Sequence, residues 1–339
     1  MEKQPPLPYN ARTMKKRQWI TLLGFAISIL LLYFSLKDVK LHDIWETLKR
    51  ADPKYAFLPL LFIFGAASGA SYRWARVSGT DVRFRETFTA LIIGLFVNNV
   101  LPARIGELAR AYVLSKKKGF TFTYSFSTVL VDRFFDLTGL LLLTFFFFPK
   151  QELPHRISQG IYLVLGLAVV CVVGILVLSR ERFANHLSSR LMKVEKSFLT
   201  RFAKTILGIQ ENLKRITSPL LILLFTAISF STWFCMSLAL YMVILALGIK
   251  IDFVYVPFVC ALLNMGITIP SSPGYIGLYQ FLLVYLLSLF GVPKAEAFAV
   301  SVLYHASWYI PYTILGFLLL LREHLRIRDI RRLNEPATD

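Results

Sequence analysis

Asn98-Asn99-Val100-Leu101-Pro102-Ala103-Arg104-Ile105-Gly106-Glu107-Leu108-Ala109-Arg110 is the stretch that decides how this chain folds. It follows an apolar run, 88–97, too short to cross a bilayer unaided. Two arginines, a glutamate and paired asparagines are costly in hydrocarbon, so such groups face a cavity, a partner or a substrate. Pro102 and Gly106 interrupt the helix. Broken backbone is tolerated at membrane depth only where it is buried or lines an aqueous space. The stretch therefore reads as the turn of a re-entrant helical hairpin whose polar groups point inward.

Composition places the rest of the chain in the same solvent. Of 339 residues, 56% are hydrophobic and 17% charged, and the mean hydropathy is +0.59. Soluble domains carry roughly 45–50% apolar and about 25% charged residues. The net charge of +18 lies mostly between apolar segments. It fits cytoplasmic loops beside anionic lipid, not nucleic acid. Cys171, Cys235 and Cys260 lie in apolar stretches, with neither metal spacing nor a disulfide pattern. The basic start, 1–17, followed by apolar 18–36, resembles a signal peptide. The apolar part is long for one, and Ser35-Leu36-Lys37-Asp38 is no cleavage site, so it reads as a retained first helix.

The fold expected is an all-α polytopic membrane protein of 8–10 apolar segments. About six are full spans: 18–36, 55–72, 121–148, 160–179, 218–247 and 297–321. Two regions, 87–115 and 254–291, each have apolar arms around a Pro/Gly break and read as opposed re-entrant hairpins. Lys and Arg number 28 on one side, counting four in a 73–86 loop, and nine on the other; Arg133 is left inside a span. The richer side is the cytoplasm, so both termini are cytoplasmic. Basic tails at 1–17 and 322–339 flank the membrane domain, 18–321. Its halves, 55–148 and 218–321, run span, hairpin, span in opposite senses. Pro102-Ala103-Arg104-Ile105-Gly106 echoes Pro273-Gly274-Tyr275-Ile276-Gly277 at an offset of 171, which suggests an inverted repeat. The 180–215 linker carries an apolar stripe with a basic opposite face, suited either to an anionic leaflet or to packing on the protein's own cytoplasmic ends. The 40–50 stretch is a shorter version.

The polar residues suggest a head-group site. Arg104, Glu107 and Arg110 are three apart and can meet on one helix surface. Guanidinium forks suit phosphate, and the free N–H groups at a helix start favour an anion. Asp132 and Asp136 share a face of the 121–148 span, and Arg133 needs a partner there, for which Glu107 is the candidate. These ion pairs could equally lock the structure; a proton or a coupling cation on a carboxylate is the functional alternative. In the second hairpin Asn264, Ser271, Ser272, Gly274 and Tyr275 sit around breaks at Pro270, Pro273 and Gly277. Asn98 and Asn99 complete the expected pocket. His305 reads as a buried, satisfied histidine, and no metal set, phosphate loop or nucleophile triad is present.

At these residues the chain resembles the lysylphosphatidylglycerol synthase transmembrane region, also called the flippase-like membrane family. The matching pieces are Asn99-x-x-Leu-Pro102-x-Arg104-x-Gly106-Glu107-x-x-Arg110, then Asp132-Arg133-x-x-Asp136, then 270–277, within a likeness covering roughly 15–325. Asp132 and Gln280 stand where the resemblance leads one to expect glutamate. The resemblance implies a polytopic protein that handles lipid head groups, here without the soluble aminoacyltransferase domain, since the sequence stops at Asp339. The expectation is a protein that binds an anionic phospholipid or polyprenyl-linked head group and flips it between leaflets. Arg104 and Arg110 would grip phosphate, and Glu107 and Asp132 would orient them or exchange protons. No cofactor, metal or nucleic acid is expected; a lipid-synthesising partner or a homo-oligomer is compatible. The alternatives are a membrane-embedded lipid-linked glycosyl- or phosphotransferase, or a scaffold for a lipid-synthesising enzyme.

Overall fold

A computed structural model of the chain describes residues 11–37, 39–101, 105–149, 155–192, 197–216, 218–268 and 272–325. The described residues form helices and connections, with no strand among them. Pro102, Ala103, Arg104, Pro270, Ser271 and both chain ends lie outside them.

The first half runs α1 (Ala11–Leu36), α2 (Leu41–Lys49), α3 (Pro53–Ala56), α4 (Leu58–Ser78), α5 (Phe84–Val100), α6 (Gly106–Lys118) and α7 (Phe122–Phe146). The second runs α8 (His155–Ser179), α9 (Glu181–Met192), α10 (Ser197–Arg215), α11 (Pro219–Ala246), α12 (Tyr255–Gly266), a 3-10 turn (Pro273–Tyr275), α13 (Leu278–Ser288) and α14 (Lys294–Arg322). Local chemistry fixes several of these ends. Thr121 accepts from the Tyr124 N–H and starts α7, while Gly119 ends α6 in the left-handed region at φ 68°. Pro219 occupies the first turn of α11, where its missing N–H is not needed.

Lengths sort the helices. Those of α1, α7, α8, α11 and α14 run from 25 to 29 residues, enough at about 1.5 Å per residue for a hydrocarbon core of about 30 Å. Pro53–Ser78 and Pro219–Ala246 also meet a strict test of apolarity for crossing a membrane. By contrast α6, α12 and α13 have 13, 12 and 11 residues. Phe25 and Ile29 of α1, Leu163 and Val170 of α8, Leu223 of α11, and Ile314 and Phe317 of α14 are large apolar residues left exposed. Bilayer as the surrounding solvent accounts for such a surface.

The packing of helices repeats. α4 packs on α5 as α11 does on α12, and α6 on α7 as α13 does on α14. α5 lies against α14 as α12 lies against α7, and α4 and α11 pack on each other. The α4–α11 seam uses small residues: a Cβ on Gly69 would stand 3.1 Å from Thr232 Oγ1. In the first hairpin, the Gly94 and Gly106 backbones nearly touch, since a Cβ on Gly106 would lie 2.2 Å from the Gly94 carbonyl oxygen. The linker stripe divides between the two readings. Ile209 and Leu213 of α10 pack with α7 and its neighbours and Ile206 is buried, whereas Phe183 and Phe202 remain exposed. In α2, Ile44 is buried while Leu41 and Trp45 stay exposed.

One sequence reading needs correcting here. Arg73 is not in a cytoplasmic loop: α4 continues past the apolar run to Ser78 and buries Arg73 completely. The excess of positive charge on that side survives its removal.

Candidate functional site

Among the described residues, six charged side chains meet where α4, α6 and α7 converge. Arg73 of α4 donates from Nε to Asp132 Oδ1 at 2.8 Å and from Nη2 to Asp136 Oδ1 at 2.7 Å. Asp132 Oδ2 accepts from Arg110 Nη1 at 3.0 Å. Arg110 Nε lies 2.8 Å from Glu107 Oε2. Glu107 Oε1 pairs with Arg133 Nη2, and Arg133 Nη1 donates to Asp136 Oδ2 at 2.8 Å. The links close into a ring of alternating sign: Arg73, Asp132, Arg110, Glu107, Arg133, Asp136 and back to Arg73. Three cations face three anions, so the ring is neutral. That is the arrangement under which buried charges can be held, each having partners on both sides.

Neighbouring helices fasten the ring. Ser229 of α11 accepts from Arg73 Nη1, and Trp233 Nε1 donates to the Asp136 carbonyl oxygen at 3.0 Å. The Arg110 guanidinium sits over the Trp74 ring, 4.8 Å from its centroid, and Trp74 Nε1 donates to Thr128 Oγ1 at 3.0 Å. The ring is unevenly sealed. The side chains of Arg73, Asp132 and Arg110 are at most 2% exposed and that of Asp136 11%, but Glu107 is 30% and Arg133 40% exposed.

The ring forms one wall of a cavity of about 460 Å³. Volumes of this order are typical of sites for small organic groups. Glu107, Arg110, Asp132, Arg133 and Asp136 line it, with Asn98 of α5 beside them. Asn264, Ile267 and Thr268 at the end of α12 and Tyr275, Tyr279, Tyr304 and Trp308 of the second half also line it. Much of that polar aromatic chemistry is already satisfied: Trp308 Nε1 donates to Tyr279 at 3.1 Å, and Tyr304 to the Met236 carbonyl oxygen at 2.9 Å. Thr232 also lines it, but its Oγ1 is buried toward Gly69 and has no hydrogen-bond partner among the described residues.

The two hairpins meet at this chamber. The Asn98 side-chain oxygen accepts from the Gly106 N–H at 2.7 Å and so caps α6. Gly274 adopts φ 66°, and a Cβ there would lie 2.6 Å from the Tyr309 ring and 3.3 Å from the Asn99 carbonyl oxygen. Tyr275 also has a positive φ, 61°, which is unusual for an aromatic residue; its ring reaches the chamber at that turn. Gly277 leaves room for α1, as a Cβ would strike the Ser28 carbonyl.

The residues expected from the sequence divide accordingly. Asn98, Glu107, Arg110, Asp132, Arg133, Asp136 and Tyr275 come together on the chamber. Glu107 is the partner of Arg133, as the spacing suggested. Asn99 does not line it: it is buried and donates to Thr313 Oγ1 at 2.8 Å, tying the first hairpin to α14. Nor does Ser272, whose hydroxyl donates to the Ile276 carbonyl oxygen at 2.8 Å and whose N–H donates to the Ser28 hydroxyl oxygen at 3.1 Å. Arg104, Ser271, Pro102 and Pro270 lie outside the described residues. Gln280 accepts from the Gly277 N–H at 2.7 Å and contacts His305 Nδ1 at 3.0 Å, which makes both residues part of the second hairpin's cap. Arg73 was missed. A signal existed: Ala66, Ala70, Arg73 and Val77 recur at helical spacing, and small residues mark a packing face. Among the described residues no group of His, Cys, Asp and Glu is placed to hold a metal ion.

Apolar helices enclosing a charged chamber are the architecture of a membrane protein. The chain belongs to the family of the lysylphosphatidylglycerol synthase TM region, whose profile matches residues 21–316. It is similar to a UPF0104 membrane protein of Methanocaldococcus jannaschii, 27% identical over 66% of this chain and 93% of the relative. A UPF0104 membrane protein of Pyrococcus horikoshii is 26% identical over 91% of this chain and 97% of its own length. Glycosyltransferase AglD of Haloferax volcanii is 24% identical over 86% of this chain, which covers 52% of that protein.

Proposed function

We propose that the protein binds the phosphate-bearing head group of an anionic phospholipid or polyprenyl-linked lipid in the chamber and moves it between the leaflets of a prokaryotic inner membrane. The observation that carries this reading is the chamber itself: a charged ring with Arg133 turned toward the cavity, opposite a polar aromatic wall from the other half. The phosphate contact expected of Arg110 passes to Arg133. Arg110 is sealed between Glu107, Asp132 and Trp74, whereas Arg133 is the most exposed cation of the ring. Its planar fork can grip two phosphate oxygens.

The short arms α6, α12 and α13 support re-entrant hairpins, since helices of 13 residues or fewer fall short of the hydrocarbon core. The matched packing of α4–α7 and α11–α14 supports an inverted repeat with the site where its halves meet. The distribution of Lys and Arg supports cytoplasmic termini.

Head-group accessibility in reconstituted vesicles tests the function. Wild-type protein moves a labelled anionic lipid to the protected leaflet, and Arg133→Gln lowers that rate at least tenfold. An unchanged rate in the variant overturns the reading. A lipid-linked transferase is the second reading, favoured by the name of the Haloferax relative; product formed from a labelled lipid donor in detergent would select it.

A further inference from the structure

An apolar stripe on α8 runs straight into the basic face of α9. We infer that their junction is a second lipid site, apart from the chamber, which holds an anionic phospholipid with its phosphate on Arg180 and Arg182 and an acyl chain along α8.

The apolar half comes from α8, whose 25 residues are enough to span hydrocarbon. Leu163, Gly166, Val170, Val173 and Val177 recur at helical spacing and share one face. All five are exposed. Gly166 sits in the middle of the stripe, and a Cβ there would meet nothing within 4 Å, so the stripe is open along its length. It ends at Val177, close to the last residue of the helix, Ser179.

The polar half follows at once. The Arg180 N–H donates to the Val177 carbonyl oxygen at 3.1 Å, which keeps the corner between α8 and α9 tight. Ala184 and Ser188 of α9 are buried, and the Ser188 hydroxyl donates to the Ala203 carbonyl oxygen of α10. At about 100° per residue, Arg182, Phe183, His186 and Arg190 fall on the opposite side of α9, and all four are exposed. The one carboxylate of α9, Glu181, pairs instead with Lys214 of α10 at 2.9 Å.

Val177, Arg180, Glu181, Arg182, Phe183 and His186 line a groove of about 910 Å³ at this corner. With Glu181 balanced by Lys214, Arg180 and Arg182 carry the net charge of the described lining. Guanidinium forks suit phosphate oxygens. Basic side chains just beyond a spanning helix are drawn to an anionic leaflet, and an exposed aromatic such as Phe183 suits the boundary between head groups and acyl chains. A phospholipid matches both halves together: its phosphate meets the arginines while its chain follows the stripe from Val177 toward Leu163. An acidic soluble partner matches only the charge. None of the groove's residues lines the chamber, so this lipid is held whether or not the chamber moves another.

Native mass spectrometry of the detergent-purified full chain tests the site, with dioleoyl phosphatidylglycerol or dioleoyl phosphatidylcholine added at equal concentration. The wild type is expected to retain phosphatidylglycerol in preference to phosphatidylcholine. The double variant Arg180→Gln, Arg182→Gln is expected to lose one phosphatidylglycerol binding step, weakened at least about tenfold by removal of two interfacial cations. An unchanged phosphatidylglycerol titration in the double variant overturns the inference, and so does equal retention of the two lipids by the wild type. Photoreactive p-benzoyl-phenylalanine in place of Phe183 identifies the occupant in native membranes: phospholipid adducts are expected, and capture of protein alone overturns the assignment.

Discussion

Arg73 and Arg133 are chemically the same side chain and have opposite duties. Arg73 has no exposure and its fork is spread over Asp132, Asp136 and Ser229. It brings two carboxylates of one helical face to a shared cation, which lets Arg110 and Arg133 each keep a second partner. Removing one partner of a buried ion pair leaves charge uncompensated, at a loss of about 3–5 kcal/mol. Arg73→Met is expected to lower the thermal unfolding temperature of the detergent-purified protein sharply. Arg76→Met, at an exposed position on the same helix, is expected to change stability by no more than about 0.5 kcal/mol. Equal effects from the two would contradict the account of Arg73. Arg133 has its fork on the chamber, so its replacement is read in lipid movement and binding.

The hairpins work because their arms approach closely enough to bring short helices to one point. Gly106 is the tightest place in the first. A methyl group there meets the Gly94 carbonyl oxygen at 2.2 Å and Asn98 Cγ at 2.5 Å, both held by the packed hairpin. Gly106→Ala should destabilise by about 1–3 kcal/mol as an overpacked contact. Gly160→Ala in α8, where nothing lies within 4 Å, should be neutral or mildly stabilising. Thermal unfolding of the two variants checks this, and a Gly106→Ala protein as stable as wild type would contradict the close approach. Long helices were readable from the sequence because a membrane leaves few choices. The expected 121–148 span is α7, Phe122–Phe146, and the expected 218–247 span is α11, Pro219–Ala246. The expected breaks of 87–115 and 254–291 correspond to separate helices, α5 and α6, and α12 and α13. The site was legible only where the chemistry forced it: Arg133, inside an apolar span, needed an acidic partner, and Glu107 is one. Arg73 was hidden because hydropathy ends a span at its first charge, while the helix itself runs on to Ser78. Asn99 looked like a binding residue beside Asn98, but successive helix positions point about 100° apart, and it faces α14 instead.

At the scale of the whole molecule, two sets of four helices with matching contacts enclose one chamber, and an exposed apolar surface surrounds them. Such an architecture suits the proposal that acyl chains stay outside while a head group enters the chamber. The central claim, that a lipid head group occupies the chamber, is most directly tested by placing the photoreactive residue p-benzoyl-phenylalanine at Leu137, on the lining next to Asp136, and separately at Phe317, on the exposed face of α14. After irradiation in native membranes, mass spectrometry identifies which part of a lipid each position has captured. The account predicts a phosphorus-containing head-group fragment on position 137 and acyl-chain adducts on position 317. Capture of acyl chain alone, or of no lipid, at position 137 would contradict it.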